Sequence, residues 1–130
     1  MKLSLINILA VGTGGFIGAA GRYVLNYFAV QQFPDSKFPY GTFIVNILGS
    51  FVIGLLLSVF ESKNWMDVQI RLFVFTGILG GFTTFSTFAN DTFLLFKSEQ
   101  IALGLLNIGA QVLLGVLFVW IGYSLVKLIF

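Results

Sequence analysis

The second apolar stretch of the sequence carries a regularly spaced row of polar side chains. Thr42, Asn46 and Ser50 recur every four residues, so a helix places them in one stripe along one face. Hydroxyl and amide groups in such a stripe can donate hydrogen bonds to an anion that has lost its hydration water. The same groups can instead hold neighbouring helices together. The spacing therefore predicts a polar face and leaves these two roles open.

The third apolar stretch contains the run Gly80 to Phe88, which reads GGFTTFSTF. Paired glycines followed by β-branched, hydroxyl-bearing residues disfavour a continuous helix, so they predict a break in the third span. Irregular backbone at membrane depth is tolerated only where it is buried in protein or lines a cavity. Its freed carbonyls can hold a cation.

Phenylalanine recurs every three residues in the same run, at Phe82, Phe85 and Phe88. An aromatic ring is electropositive at its edge, so ring edges can face an anion. The common role of such a stripe is packing or contact with lipid. The neighbouring threonine and serine side chains weaken that interpretation, and both roles stay open.

The fourth apolar stretch has a second polar stripe, because Asn107 and Gln111 are again four residues apart. Two charged residues, Arg22 and Asp91, lie near the ends of apolar stretches. Their ordinary explanation is a side chain that reaches the membrane surface. Arg22 can also attract anions into a vestibule.

The residue types needed for most enzyme sites are missing. The 130 residues include no cysteine and no histidine, which excludes disulfides, thiolate nucleophiles and the commonest metal ligand. No apolar stretch holds a pair of carboxylates, and no phosphate-binding loop is present. The 7 basic residues are dispersed, unlike those of a nucleic-acid-binding surface. The sequence therefore predicts neither an enzyme nor a nucleic-acid-binding protein.

Hydropathy and charge predict the elements that carry these residues. Hydrophobic residues make up 58% of the chain and charged residues 9%, far from the balance of a soluble protein. Each of four uncharged stretches is long enough to cross a bilayer core of roughly 30 Å as a helix. We expect an all-α membrane protein with one transmembrane domain over residues 1–130 and spans at about 3–28, 40–60, 71–95 and 101–126. A cleaved signal peptide over residues 1–21 is the competing interpretation, but the apolar segment continues beyond Arg22 without a small-x-small cleavage site.

The distribution of basic residues gives little preference for one orientation in the membrane. An even number of spans puts both termini and the second loop on one side. That side carries four basic residues and the other side carries three: Lys2, Lys63, Arg71 and Lys127, against Arg22, Lys37 and Lys97. Because a lysine and arginine excess sets orientation, this near balance makes insertion in both orientations plausible. Two copies could then pair antiparallel about a twofold axis, and a weakly biased single orientation is the alternative.

Small residues predict close contacts between helices. Gly14 with Gly18, and Gly77 with Gly81, form two GxxxG patterns. Such patterns let two helix backbones approach closely in a membrane.

Three motifs carry a resemblance to a known family. Segments 14–23, 41–50 and 80–88 read GGFIGAAGRY, GTFIVNILGS and GGFTTFSTF. Together they resemble the Fluc (CrcB) fluoride channels of microorganisms, along nearly the whole chain. The resemblance implies a multi-pass protein of the inner (plasma) membrane, in contact with lipids, that exports fluoride passively and so reduces its toxicity in the cytoplasm. It also implies a dual-topology antiparallel homodimer with two pores.

The resemblance further implies roles for individual residues. Asn46 would donate a hydrogen bond to fluoride, and Phe85 and Phe88 would present ring edges to it. Thr42, Ser86 and Thr87 would extend a polar track. Arg22 would lie in a vestibule, and the acid Asp91 would lie toward the other end of the pore. The backbone carbonyls of Gly80 and Thr83 would hold a structural sodium ion at the dimer centre. Family members commonly carry serine where this chain has Gln111, four residues before Gly115. The longer amide could narrow or reroute the track, and a heterodimer with a divergent partner copy stays open.

Two other functions fit a short four-span chain. A small multidrug exporter needs a carboxylate in its first span, and no Asp or Glu precedes Asp35 here. A noncatalytic assembly subunit would use the polar stripes as adhesive, which the pore motifs disfavour.

Overall fold

The computed structural model describes residues 3–63 and 67–129. Four helical segments in this part of the chain are long and apolar enough to cross a membrane, at Leu5–Gln32, Tyr40–Ser62, Val68–Lys97 and Ile101–Ile129. In chain order the elements are α1 (Leu5–Gln32), α2 (Tyr40–Ser62), α3 (Val68–Arg71), a π-helix (Leu72–Leu79), α4 (Gly80–Phe82), α5 (Phe85–Lys97) and α6 (Ile101–Ile129). The described residues contain no strand. The prediction of an all-helical protein with four spans is confirmed.

The helices extend beyond the spans expected from hydropathy. Helix α1 continues through Arg22 to Gln32, and α6 continues past Lys127 to Ile129. A long basic side chain can carry its charge to the membrane surface while its backbone stays helical, so a charge need not end a helix. Lys2, which enters the charge comparison, lies outside the described residues, as do residues 64–66 of the second loop.

The third span is assembled from shorter pieces. Its first turn is capped by Asp67, whose carboxylate accepts a hydrogen bond from the Ile70 amide at 2.8 Å. The π-helix and α4 follow, and then Thr83 and Thr84 have extended backbone dihedrals, with φ of −82° and −150° and ψ of 155° and 119°. Helix α5 starts at the next residue, and the Thr84 hydroxyl caps it by accepting from the Thr87 amide at 3.2 Å. Threonine is a favoured residue at such a cap.

Glycines allow α1 to lie directly against the third span. A Cβ atom on Gly14 would collide with the Phe73 carbonyl oxygen of the π-helix, and one on Gly18 would collide with the Ile78 carbonyl oxygen. Backbone atoms cannot move aside as a flexible side chain can, so only glycine fits here. The prediction of close contact at the first GxxxG pattern is confirmed. Gly14 meets Phe73 and Gly18 meets Ile78, so the contacts move toward higher residue numbers on both helices. Helix α1 and the π-helix therefore run parallel.

Helices α2 and α6 form a second parallel pair. Gly54 of α2 lies against the Val119 carbonyl, and Gly122 of α6 lies against the Phe51 carbonyl. Near the end of both helices, the Tyr123 hydroxyl donates a hydrogen bond to the Glu61 carboxylate at 2.7 Å. The two glycine-mediated pairs together hold the polar stripes of α2 and α6 opposite α5.

Candidate functional site

A cleft of about 370 Å³ lies where α2, α6 and the third span meet. It is lined by both polar stripes and by the run after the paired glycines. Of the residues expected to have a role, it brings together Asn46, Phe85, Phe88, Gly80 and Thr83. It also includes Ser50 of the first stripe and Gln111 of the second.

The Asn46 side chain is held by the extended segment between α4 and α5. Its Oδ1 accepts a hydrogen bond from the Thr84 amide at 2.9 Å, and its Nδ2 donates to the Thr84 carbonyl at 3.2 Å. A backbone amide can only donate and a carbonyl can only accept, so these two bonds fix which end of the carboxamide is which. The remaining Nδ2 hydrogen is directed at Gln111 Oε1, at a distance of 2.7 Å.

A line of hydrogen bonds continues from Gln111 into the protein interior. Gln111 Nε2 donates to Asn107 Oδ1 at 3.0 Å, and Asn107 Nδ2 donates to the Thr92 hydroxyl at 2.9 Å. The Thr92 hydroxyl in turn donates to the Phe88 carbonyl at 2.8 Å. Asn107 is fully buried, with 0% exposure, so its hydrogen bonds avoid the cost of an unpaired polar group in an apolar interior. In the second polar stripe, Asn107 thus holds α6 to α5 through its hydrogen bond with Thr92, and Gln111 faces the cleft.

Two phenylalanine rings border the cleft beside Asn46. The ring centroids of Phe85 and Phe88 are 5.5 Å apart, and the ring planes are tilted by 49°. Phe85 is 79% exposed, unlike most large apolar residues near the centre of a helical bundle. Ring edges carry partial positive charge, so rings placed here can contact an anion through their hydrogens.

Thr42 occupies a second cavity, of about 390 Å³, near the loop between α1 and α2. Its hydroxyl donates a hydrogen bond to Asp91 Oδ2 at 2.6 Å, and both residues line this cavity together with Lys37. Thr42 contacts Asp91 whereas Asn46 contacts Thr84, so α2 and α5 run in opposite directions. Thr42 and Asn46 are one helical turn apart, about 6 Å along the axis, so the stripe contributes to the lining of both cavities.

Three further predicted residues lie apart from the cleft lining. Ser86 and Thr87 contact the Thr84 hydroxyl through their own hydroxyls, at 3.1 and 3.2 Å, and so help to cap α5. Arg22, on α1, lines neither the cleft nor the second cavity. The structure thus groups Asn46, Phe85 and Phe88 and leaves Ser86, Thr87 and Arg22 outside the cleft lining.

Two residues of this site had no separate role in the sequence interpretation. Thr84 lies in the quoted run, yet its part in holding Asn46 depends on backbone groups that sequence spacing does not show. Thr92 belongs to no stripe, and its partner Asn107 is 15 residues away on another helix. Thr92 follows Phe88 by four residues, and this helical spacing is the signal that could have drawn attention to it.

Comparison with known proteins agrees with the geometry. The family model described as "CrcB-like protein, Camphor Resistance (CrcB)" matches residues 9–123. The chain belongs to the CrcB family. It is 46% identical over 125 residues to the fluoride-specific ion channel FluC of Ruminiclostridium cellulolyticum, covering 96% of this chain and 95% of the relative. The corresponding channel of Campylobacter fetus is 41% identical over 128 residues, which cover 98% and 99% of the two chains.

Membership of the CrcB family decides the broad class of this protein. The FluC of Clostridium perfringens is a further relative, 41% identical and covering 97% of this chain and 98% of its own. The family consists of ion channels and not of enzymes, and these relatives are named for fluoride. With its four membrane-crossing segments, the chain is a multi-pass membrane protein of a fluoride channel family; in bacteria such a protein resides in the plasma membrane.

Proposed function

We propose that this chain conducts fluoride passively out of the cell and so lowers the toxicity of fluoride in the cytoplasm. The observation that carries the proposal is the cleft in which the Asn46 amide and the Phe85 and Phe88 rings converge. Fluoride is small and strongly hydrated, so a pore must replace lost water with donors, and these groups offer amide and ring hydrogens. In this proposal fluoride moves down its own electrochemical gradient, so its conduction requires no energy source.

The polar stripe of α2 supplies the route for the ion in this proposal. The cavity at Thr42 would receive the hydrated anion, with Lys37 offsetting the charge of the Asp91 carboxylate that lines the same cavity. From there the ion would pass along α2 to Asn46 and the two phenylalanine rings. Ser86 and Thr87 would extend the polar track and Arg22 would lie in an aqueous vestibule, as the resemblance implies.

The carbonyls of Gly80 and Thr83 fit a structural sodium ion. In a continuous helix they would accept from the amides four residues later, those of Thr84 and Thr87. The Thr84 amide donates to Asn46 instead, and the Thr87 amide donates to the Thr84 hydroxyl. We therefore propose that the extended pair Thr83 and Thr84 forms the expected break in the third span. Two carbonyls from each of two copies would provide the oxygen ligands that a hard cation prefers.

The functional unit in this proposal is an antiparallel homodimer with two pores. The near balance of basic residues favours insertion in both orientations, and the exposed Phe85 side chain leaves a surface for a second copy to cover. Because the chain has no cysteine, one engineered cysteine reports orientation without background. In Ser36→Cys, an impermeant thiol reagent should label about half of the molecules from each side of the membrane. Complete labelling from one side would contradict dual topology.

Substitution of one pore phenylalanine tests the role of the cleft. Phe85→Ile removes the ring edge and keeps an apolar side chain, so fluoride efflux from liposomes should fall at least tenfold while the protein stays assembled. Phe93→Ile is the matched control, since Phe93 is an exposed phenylalanine of the same helix outside the cleft. Efflux from Phe93→Ile should match the unsubstituted protein. Undiminished efflux from Phe85→Ile would remove this ring from the pathway.

A further inference from the structure

The donor that the proposed function assigns to fluoride is already engaged within this chain. Asn46 has two Nδ2 hydrogens and one Oδ1 acceptor, and the Thr84 backbone uses one of each. The second hydrogen meets Gln111 Oε1 at 2.7 Å, the shortest of the three contacts. An anion that approaches Asn46 from the cleft therefore meets a donor already paired with an oxygen.

The orientation of the Gln111 amide follows from backbone groups at both ends of the hydrogen-bonded line. At one end, the Thr84 amide and carbonyl dictate that Asn46 presents Nδ2 to Gln111, so Gln111 must present its oxygen. At the other end, the Thr92 hydroxyl donates its hydrogen to the Phe88 carbonyl, so the hydroxyl oxygen of Thr92 accepts from Asn107. With Nδ2 turned toward Thr92, Asn107 turns Oδ1 toward Gln111, which meets it with Nε2. Both ends require the same arrangement.

The two amides differ in their freedom to move. Asn46 is held on both sides of its carboxamide by one stretch of backbone, whereas Gln111 is longer and borders the open cleft. Asn107, which holds the far side of Gln111, is completely buried. Displacement of Gln111 Oε1 from Asn46 thus requires rotation of one side chain, at the expense of its bond to Asn107, while the Asn46–Thr84 and Asn107–Thr92 bonds stay in place.

We propose that Gln111 is a positioning residue whose Oε1 caps the Asn46 donor in the resting channel, and that fluoride must displace this oxygen to bind. The carbonyl oxygen of Gln111, which is tethered to α6, then competes with the ion for the Asn46 amide hydrogen. The inference rests on the proposed function. Its measurable consequence is the fluoride concentration at which flux is half-maximal.

The test compares fluoride flux against fluoride concentration in variants at position 111. Gln111→Met keeps the length of the side chain and removes the competing oxygen. The fluoride concentration at half-maximal flux should fall roughly three- to tenfold, which is the effect of losing one hydrogen bond. Gln111→Glu presents a charged acceptor to Asn46 and should raise the same concentration. An unchanged or higher half-maximal concentration in Gln111→Met would overturn the proposal.

A second variant guards against a fold defect. Gln111→Met leaves Asn107 Oδ1 without its donor in a buried site, which can destabilise the protein. The double variant Asn107→Leu with Gln111→Met removes both amides and leaves Thr92 bonded to the Phe88 carbonyl. It should show the same lowered half-maximal concentration. A double variant that folds and behaves like the unsubstituted protein would overturn the proposal as well.

A spectroscopic measurement separates this inference from the proposed function. Isotope-edited NMR in detergent micelles follows the side-chain amide hydrogens of Asn46. Without fluoride, Gln111→Met should shift one of these resonances upfield, and added fluoride, unlike chloride, should restore it. An Asn46 resonance that Gln111→Met leaves unchanged would refute the capping contact, whatever the flux. If the resonance shifts but no form of the protein passes fluoride, the contact stands and the proposed function fails.

Discussion

Replacement of Asn46 by leucine should abolish most fluoride flux, because this amide is both a pore donor and the partner of the extended backbone segment. In Asn46→Leu the Thr84 amide loses its acceptor at 2.9 Å, and Gln111 Oε1 loses its donor at 2.7 Å. A buried polar group left without a partner costs about 1–3 kcal/mol, so these two cost about 2–6 kcal/mol. Burial of the leucine side chain returns about 1.5–3 kcal/mol. The midpoints of these two ranges differ by about 2 kcal/mol, so we expect a net loss of stability of about this size, which leaves most of the protein folded.

The effect on flux is larger than the effect on folding. A hydrogen bond to an ion contributes about 1.5–3 kcal/mol, so its loss should lower fluoride flux roughly ten- to hundredfold at sub-saturating concentration. Flux is measured by fluoride electrode on proteoliposomes, and folding by thermal unfolding of the purified protein. Asn90→Leu is the matched control, because Asn90 is an exposed residue of α5 that does not line the cleft. It should keep flux within about twofold. A folded Asn46→Leu protein with the flux of the unsubstituted chain would refute the role of this donor.

Two further predictions concern the contacts that hold the site. Gly122→Ala should lower the free energy of unfolding by about 1–3 kcal/mol, because the added Cβ meets the Phe51 carbonyl. Gly109→Ala is the control, because this glycine is on the same helix and no atom lies within 4 Å of the new Cβ. It should leave stability unchanged or raise it by up to about 1 kcal/mol. Equal shifts of the unfolding temperature in the two variants would contradict the packing argument. A double-mutant cycle of Thr42→Val and Asp91→Ala should give a coupling of about 1.5–3 kcal/mol in thermal unfolding, as for a hydrogen bond to a charged group. A coupling near zero would show that the second cavity does not depend on this pair.

Hydropathy and spacing were sufficient for the spans and for the facing of the polar stripes. A membrane helix needs a long apolar run and gives its polar residues a four-residue repeat, so Asn46 and Ser50 share the cleft. The Gly14 and Gly18 pattern was equally readable, since only glycine permits contact with a carbonyl on the next helix. In each case the signal is local in the sequence.

Pairings between distant residues could not be predicted from these patterns. Spacing places Gln111 on a polar face, but which of its neighbours lies within 3 Å depends on the packing of α2 against α6. Asn46 and Gln111 are separated by 65 residues in the chain. The π-helix was unpredicted as well, because its apolar sequence is that of an ordinary membrane helix. Spacing also did not show that Thr42 and Asn46, on one face of α2, line different cavities.

The most direct measurement is anion efflux from liposomes that contain the purified, unsubstituted protein. Fluoride and chloride electrodes record the loss of each ion from separate vesicles under the same outward gradient, with protein-free vesicles as the background. The account predicts rapid fluoride efflux that needs no energy source, together with chloride efflux at the background rate. Fluoride efflux no faster than that of protein-free vesicles would contradict the proposed function, and equal rates for the two ions would contradict selectivity for fluoride.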